Sequence, residues 1–312
     1  MKILISGGSG LIGRALTRSL LNDDHHVTVL SRNPTRSASI LPKGVALQQW
    51  DGVSLGSWQH VVSESDAVIH LAGESIAGEN LAAILTRRWT SKTKARILES
   101  RVQSGHVLLE AIRKAKRRPS IFIQASAVGY YGPRGTEEIT EETSPGEGFL
   151  AQVCQKWEAS IAELESMGVR RVVIRTGLVL SAEGGILPMM LLPFRFYMGG
   201  RLGDGLQGIP WIHIQDEVDA IRFLGISNHA RGAYNLSAPH PVSDREFARI
   251  AGLVLHRPNI FLVPAFALKA VLGEKSMLVL DGQYAVPNRL IKAGYTFHYE
   301  QLEPALRQLL QS

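Results

Sequence analysis

Apolar residues fill positions 2–6 and run straight into glycines, and residues 11–21 then place Leu11, Ile12, Ala15, Leu16 and Leu20 at helical spacing. This predicts a strand, a turn and a helix. After a polar turn at residues 22–25, residues 26–30 alternate as a second strand. Apolar runs at residues 45–47, 67–71, 121–125 and 172–174 predict further buried strands, several of them separated by long helical patterns. Near-continuous Val, Ile and Leu strands alternating with helices predict an α/β fold of Rossmann type, a doubly wound parallel sheet covered on both faces.

Beyond Arg175 the texture changes. Residues 177–208 hold many glycines, Pro188, Pro193 and an apolar run at 189–198; the stretch is too apolar for disorder and predicts an irregular lobe over a substrate, with Arg195 or Arg201 available for an anionic group. Residues 234–236 return to strand texture, 243–255 are helical with Ser243 as N-cap, and 260–312 form a mixed tail. Asp216 reads as the N-cap of a helix over 218–224, and His213 as a packed residue. The expected organisation is a Rossmann domain at 1–176 and a smaller C-terminal substrate lobe at 177–312, from which residues 234–236 rejoin the sheet.

The chain of 312 residues is 45% apolar and 20% charged, the proportions of an ordinary globular protein. Its one cysteine, Cys154, excludes a disulfide framework and a thiolate metal cluster, so no metal site is expected. The first strand begins directly after Met1 and no apolar run approaches the roughly 18 residues of a membrane span, so the expected location is cytoplasmic. The net charge of +6 is unevenly placed: residues 87–118 hold eleven Lys or Arg against Glu99 and Glu110, a local +9. A solvated helix face ending in a basic turn accounts for this run, and nucleic acid is not favoured as a partner.

The chemistry is concentrated at the start. In Gly7-Gly8-Ser9-Gly10-Leu11-Ile12-Gly13 the patterns G-x-G-x-x-G and G-x-x-G-x-x-G overlap between the first strand and the first helix. Glycines let the backbone approach a pyrophosphate, and the helix start offers free N–H groups and a partial positive charge. Gly7, Gly10, Leu11, Ile12 and Gly13 are therefore the expected dinucleotide contacts. An acidic residue ending the second strand would bond the ribose 2′-hydroxyl of NAD; the chain instead reads Leu30-Ser31-Arg32-Asn33. A hydroxyl beside a guanidinium suits a 2′-phosphate, so NADP(H) is the expected cofactor, with Ser31 and Arg32 as its ligands.

These residues, with Trp50-Asp51, His70-Leu71-Ala72-Gly73-Glu74, the run from Ser126 to Gly132, Trp157-Glu158, Arg175-Thr176-Gly177, the run from Trp211 to Ile214 with Asp216, and Tyr234-Asn235, make the chain resemble the extended or atypical short-chain dehydrogenase/reductases, in particular their nucleoside-diphosphate-sugar epimerase-like branch. The resemblance runs from Lys2 nearly to the C-terminus. It implies that Leu71, Ala72, Gly73 and Glu74 lie against the cofactor, that Asp51 sits near the adenine, and that Ser126 lies beside the nicotinamide.

One departure stands out. Enzymes of this type place a catalytic tyrosine four residues before a lysine on the helix after Ser126. Taking Lys156 as that lysine puts Gln152 where the tyrosine is expected, and none of the seven tyrosines has Lys four positions on. Glutamine cannot cycle a proton. The remaining candidates around Ser126 are Tyr130 and Tyr131 as substitute acids and Lys156, which flanks an apolar helix face and either reaches the cofactor ribose or stays solvated. No G-x-S-x-G elbow, H-E-x-x-H or Walker A pattern is present. The expected activity is that of an NADP(H)-dependent oxidoreductase or epimerase acting on a small, anionic or nucleotide-linked carbonyl or alcohol; the competing expectation is a non-catalytic NADP(H) sensor.

Overall fold

A computed structural model describes residues 1–76, 78 and 88–311. Seven strands form the central sheet: β1 (Lys2–Ser6), β2 (His26–Ser31), β3 (Ala46–Gln49), β4 (Ala67–His70), β5 (Ile121–Ala127), β6 (Arg170–Thr176) and β7 (Gly232–Leu236). They lie in the order β7-β6-β5-β4-β1-β2-β3, and every neighbouring pair is parallel. The Rossmann-type α/β fold expected from the apolar runs is the fold found. The longer helices are α1 (Leu11–Asn22), α2 (Ser91–Lys114), α3 (Phe149–Ala159), α4 (Leu187–Arg195), α5 (Ile214–Ile226), α6 (Asp244–Leu255) and α7 (Leu302–Gln311). Arg87, the first residue of the basic run, lies outside the described residues.

Because successive side chains of a strand point to opposite faces, each strand contributes to two cores. Ile3 and Ile5 join Val27, Val29, Ile69 and Ile123 under α1 and α5, where Leu16, Leu20, Ile221 and Leu224 close one face. Leu4 joins Val68 and Phe122 on the other face, against Leu108 and Ile112 of α2. Both faces are therefore covered, which is why the strands read as uninterrupted apolar runs.

The expected boundary at Thr176 coincides with the end of β6, but residues beyond it are woven back into this layer. β7 pairs with β6 from Gly232↔Val172 to Leu236↔Thr176, longer than the returning strand the sequence shows. Residues 177–208 are more regular than their glycine content predicts. Pro188 sits at the start of α4, where its missing N–H costs nothing, and Leu187, Leu191 and Phe194 join Trp211, Phe247 and Leu306 in a third core. A cavity of about 360 Å³ in this lobe is lined by Arg201, Arg245, Arg249, Asn259 and Ile260; neither Ser126 nor its hydrogen-bond partners line it, and Arg195 is exposed. Among the described residues no helix is long and apolar enough to cross a membrane.

Asp216 is not the N-cap that the sequence predicts. His213 holds that place, its Nδ1 accepting from Gln215 N at 3.1 Å, and its ring stacks on Tyr299 with centroids 4.0 Å apart. Asp216, fully buried, accepts instead from His298 N (2.8 Å), Tyr299 N (2.9 Å) and the Tyr295 hydroxyl (3.0 Å). It pins the C-terminal tail to α5. One carboxylate thus offsets two backbone N–H groups that would otherwise be lost to burial.

A second polar hub ties the sheet to α2. His70, the last residue of β4, is fully buried, with Nδ1 2.6 Å from Ser6 Oγ on β1 and Nε2 3.2 Å from Ser104 Oγ on α2. Burial, with the Arg101 guanidinium nearby, pushes its pKa down to about 3. Below an unfolded-state pKa near 6.5 the unfolded chain binds a proton that the folded chain refuses, so this group's contribution is present above 6.5 and is lost as pH falls toward 3. His70→Gln removes that dependence. Urea unfolding of both proteins at pH 7 and pH 4.5 is expected to show a wild-type stability advantage that shrinks as pH falls, by up to about 1.4 kcal/mol per pH unit; an advantage independent of pH contradicts a neutral buried imidazole.

Candidate functional site

The chain runs from β1 outward through β2 to β3 and then crosses back to β4 on the other side of β1. At such a reversal the loops leaving β1 and β4 turn apart and open a crevice at the carboxyl ends of the strands. Gly7 turns there with φ +76°, and a Cβ on it would lie 2.7 Å from Leu71 C and Ala72 N. A Cβ on Gly13 would lie 2.4 Å from Gly7 O, so α1 packs directly on the loop. Gly10 caps α1 with no side chain, and the first turn carries no acidic residue. The N–H groups of Leu11, Ile12 and Gly13 therefore have no i−4 partner within the helix and stand at a loop whose glycines pack too closely for side chains, which fits the pyrophosphate of a dinucleotide. Sequence reasoning missed the segment 181–185, which reaches this helix: Gly185 abuts Leu11, where a Cβ would come within 2.8 Å of Leu11 Cδ2, and Glu183 pairs with Arg18 at 3.2 Å.

At the end of β2, Ser31 is buried and its hydroxyl is engaged internally, 2.7 Å from Ser37 Oγ and accepting from Asn33 N at 3.1 Å. Arg32 is exposed and its guanidinium makes no ion pair or hydrogen bond to any described residue; the same holds for Arg36, which sequence reasoning did not single out. Asn33 caps the short helix Pro34–Ala38 by accepting from Arg36 N at 3.0 Å, which sets Arg36 one turn beyond Arg32. Asp51 follows Trp50, whose N–H donates to Ser31 O (2.9 Å), so it lies beside this strand end. Its Oδ1 accepts from Val53 N (2.9 Å) and Ser54 N (2.8 Å), and these donors hold the carboxyl below the usual carboxylate range.

Leu71, Ala72, Gly73 and Glu74 continue from β4 along the rim of the crevice. Leu71 N donates to Ser6 O at 2.9 Å. Glu74 is turned toward α2: its N–H donates to Ser100 Oγ (3.2 Å) and its carboxylate pairs with Arg96 (3.1 Å).

The end of β5 carries a connected polar chain. Ser126 Oγ donates to Glu158 Oε1 on α3 at 2.6 Å. Glu158 is gripped by Arg175 of β6, Nε to Oε1 at 3.0 Å and Nη2 to Oε2 at 2.9 Å, with both side chains largely buried. Arg175 Nη1 donates to the Tyr131 hydroxyl (3.0 Å), which donates to Asn235 Oδ1 on β7 (2.7 Å). The guanidinium also lies 3.4 Å from the centroid of the Tyr130 ring. Glu158, Arg175 and Asn235 were visible only as family motifs without a role; the one sequence signal for Glu158 is its i+4 spacing from Cys154 on a single helix face.

That face corrects the reading of α3. A Cβ on Gly129 would lie 3.6 Å from Leu150 Cβ and 4.0 Å from Cys154 Sγ, so Leu150, Cys154 and Glu158 point at the end of β5. Gln152 and Lys156 are exposed on the other side, about 200° around from Cys154 or Glu158 in each case. Lys156 is therefore not brought to Ser126, and Leu150 and Cys154 hold the paired positions in place of tyrosine and lysine. Burial pushes the Cys154 thiol up to about 11, with Glu158 adding to the effect, so it stays neutral. Tyr131 is also unsuited to the acid's role: it is fully buried, its hydroxyl is spent on Arg175 and Asn235, and burial raises its pKa to about 12. Tyr130 is half-buried, and its hydroxyl has no hydrogen-bond partner among the described residues.

The sequence profile described as the NAD dependent epimerase/dehydratase family matches residues 3–237, and a domain of unknown function, DUF1731, matches residues 263–309. Epimerase family protein YfhF of Bacillus subtilis is 38% identical over 311 residues, covering 99% of this chain and 98% of the relative. The crystal structure of human epimerase family protein SDR39U1 with NADPH superposes with a TM-score of 0.87 at 34% identity, covering 100% of this chain and 99% of that one. The Thermus thermophilus UDP-glucose 4-epimerase complex with NAD shares the fold, with a TM-score of 0.77 at 18% identity over 100% of this chain and 98% of that one. The Gly7 to Gly13 cradle, the parallel sheet and a match over three quarters of the chain agree: the chain is an NAD(P)-binding protein of the NAD dependent epimerase/dehydratase family.

Proposed function

We propose that this chain is an NADP(H)-dependent oxidoreductase or epimerase of the extended short-chain dehydrogenase type, acting on a small or nucleotide-linked carbonyl or alcohol. The observation that carries the cofactor choice is at the end of β2, where Arg32 and Arg36 stand exposed without ion pairs to any described residue and the strand ends in Ser31-Arg32 rather than in an acidic residue. A 2′-phosphate between two unpaired guanidiniums gains charge-assisted hydrogen bonds. NADPH in the human relative supports the same choice.

The cofactor supplies or accepts a hydride; the chain must hold the substrate oxygen and move its proton. With its own proton committed to Glu158, Ser126 presents lone pairs outward and positions the substrate by accepting a hydrogen bond from a hydroxyl other than the reacting one, whose single proton is left for Tyr130. Glu158 stays ionised against Arg175, which fixes that orientation. Tyr130, four residues beyond Ser126 with a free hydroxyl and its ring held against Arg175, is the group that delivers or removes the proton at the substrate oxygen. Leu150 and Cys154 on the face toward Ser126 favour a second reading, a non-catalytic NADP(H)-binding sensor, since neither side chain relays a proton at neutral pH.

Calorimetric titration is expected to give tighter binding of NADPH than NADH in the unmodified protein. The double variant Arg32→Ala, Arg36→Ala is expected to lose roughly one to two decades of NADPH affinity while NADH affinity stays level. Equal affinities before substitution contradict the assignment. Turnover against a panel of carbonyls and nucleotide sugars then separates the two readings. For an enzyme, Tyr130→Phe slows turnover by about 10²- to 10⁴-fold with the NADPH dissociation constant unchanged; full turnover in Tyr130→Phe removes this residue from the mechanism, and binding without turnover of any substrate supports the sensor.

A further inference from the structure

A band of exposed apolar side chains borders the arginine-lined cavity of the C-terminal lobe. Phe196, Tyr197 and Met198 follow α4 and are each more than half exposed; Ile260, Phe261 and Leu262 are exposed too, Ile260 at 80%. The two stretches meet through the short parallel strands Gly200–Leu202 and Phe261–Val263, where Phe261 N donates to Gly199 O at 3.2 Å. The Arg257 guanidinium stacks over the Tyr197 ring, 4.4 Å from its centroid, and Ile260, Phe261 and Leu262 line the cavity itself. Scattered exposed apolar residues are ordinary, but six in two paired stretches make a patch, and such a patch marks an interaction surface.

Backbone geometry fixes these tips. α4 closes with Tyr197 N donating to Phe194 O at 2.9 Å and Met198 N to Pro193 O at 2.8 Å, which puts Tyr197 in the left-handed region at φ +60°. α6 closes the same way at His256, φ +52°, with Arg257 N donating to Gly252 O at 2.9 Å. Helix ends of this kind usually take glycine at that position, because a side chain there is strained. The chain carries tyrosine at one and histidine at the other, and the two closures bring the Tyr197 ring and the Arg257 guanidinium together.

The charge around the patch says what covers it. Arg195 precedes Phe196, Arg201, Arg245 and Arg249 line the cavity, and Arg257 lies on Tyr197. Arg195 and Arg201 have no hydrogen bond or ion pair to any described residue. Arg245 bonds only Asp204 O and Arg257 only His256 O, each at 3.1 Å. The carboxylates beside them are Asp204 and Glu246, the latter held by Arg249 at 2.8 Å, and Glu303 beyond is paired with Arg307, so five cations face two anions. A second copy of the chain would set this excess of cations against itself. An anionic bilayer meets both features: its phosphates neutralise the arginines and its acyl boundary takes the apolar tips. We propose that this face docks on the surface of a membrane containing anionic phospholipid, with Phe196, Tyr197, Met198 and Ile260 entering the headgroup layer and a lipid phosphate seated in the cavity beside Arg201 and Arg245. Docking at a surface needs no spanning helix, and it is independent of the cofactor reading.

The test sediments the full chain with vesicles of phosphatidylcholine alone and of phosphatidylcholine with about one third phosphatidylglycerol. Binding is expected with phosphatidylglycerol present, weaker by roughly tenfold or more without it, and falling as salt rises. Two double variants, Arg195→Gln with Arg201→Gln and Phe196→Ser with Ile260→Ser, change only side chains that are at least partly exposed. Each is expected to weaken binding roughly tenfold or more with the unfolding temperature unchanged. Full binding by either double variant overturns the proposal and moves the contact elsewhere, as to the basic run on α2. Equal binding to both vesicles also overturns it, since the arginines then play no part. So does an unmodified chain that binds neither: a concentration-dependent dimer broken by Phe196→Ser with Ile260→Ser then assigns the face to a second copy, and binding to poly-glutamate assigns it to an acidic protein.

Discussion

Three backbone segments meet at the carboxyl end of β1 with no side chain between them, and the site depends on that contact. The loop at Gly7 lies so close to Leu71 and Ala72 that a methyl group would overlap both, and α1 presses Gly13 onto the same loop. Only this approach leaves the first N–H groups of α1 open to the crevice while keeping β1 and β4 paired to their ends. A side chain at either glycine would force the strand ends apart or tilt α1, and the partial charge of the helix start would no longer face the crevice.

Around that contact the polar groups are arranged so that few are left unmatched. His70 joins β1, β4 and α2 as a neutral imidazole. The chain from Ser126 through Glu158, Arg175 and Tyr131 to Asn235 joins β5, α3, β6 and β7, and Asn235 Nδ2 donates onward to Val286 O in the C-terminal tail at 3.0 Å. A buried ion pair such as Glu158 with Arg175 contributes little net stability, because desolvation offsets most of its attraction. Its value here is orientation: it commits the Ser126 hydroxyl to Glu158 and holds the Arg175 guanidinium against the Tyr130 ring. Arg101 Nε is among the few buried polar atoms without a hydrogen-bond partner among the described residues, with Glu217 Oε2 and Arg171 Nε.

The sheet and the glycine cradle were legible in the sequence because both rest on local pattern. Buried parallel strands need unbroken apolar runs, and a pyrophosphate cradle needs glycine at fixed spacing. Arg32 was legible for a similar reason, through its position at a strand end. The chemistry at β5 was not, because it depends on helix phase: placing Lys156 in the lysine position by residue type turned α3 by about 200°, whereas Glu158 and Cys154 mark the face that meets Ser126. Asp216 misled likewise, since an acid before an apolar helix reads as a cap, and its backbone partners lie about 80 residues on, at His298 and Tyr299. Arg101 was hidden inside a basic run, where neighbouring charges are solvated and nothing in the spacing marks the one that is buried.

The measurement that bears most directly on this account is the crystal structure of the chain with NADPH bound. The account predicts the pyrophosphate on the N–H groups of Leu11 and Ile12, the 2′-phosphate between Arg32 and Arg36, and the nicotinamide beside Ser126 with Lys156 still in solvent. A dinucleotide whose 2′-phosphate lies away from both arginines, or Lys156 turned inward onto the nicotinamide ribose, would contradict it.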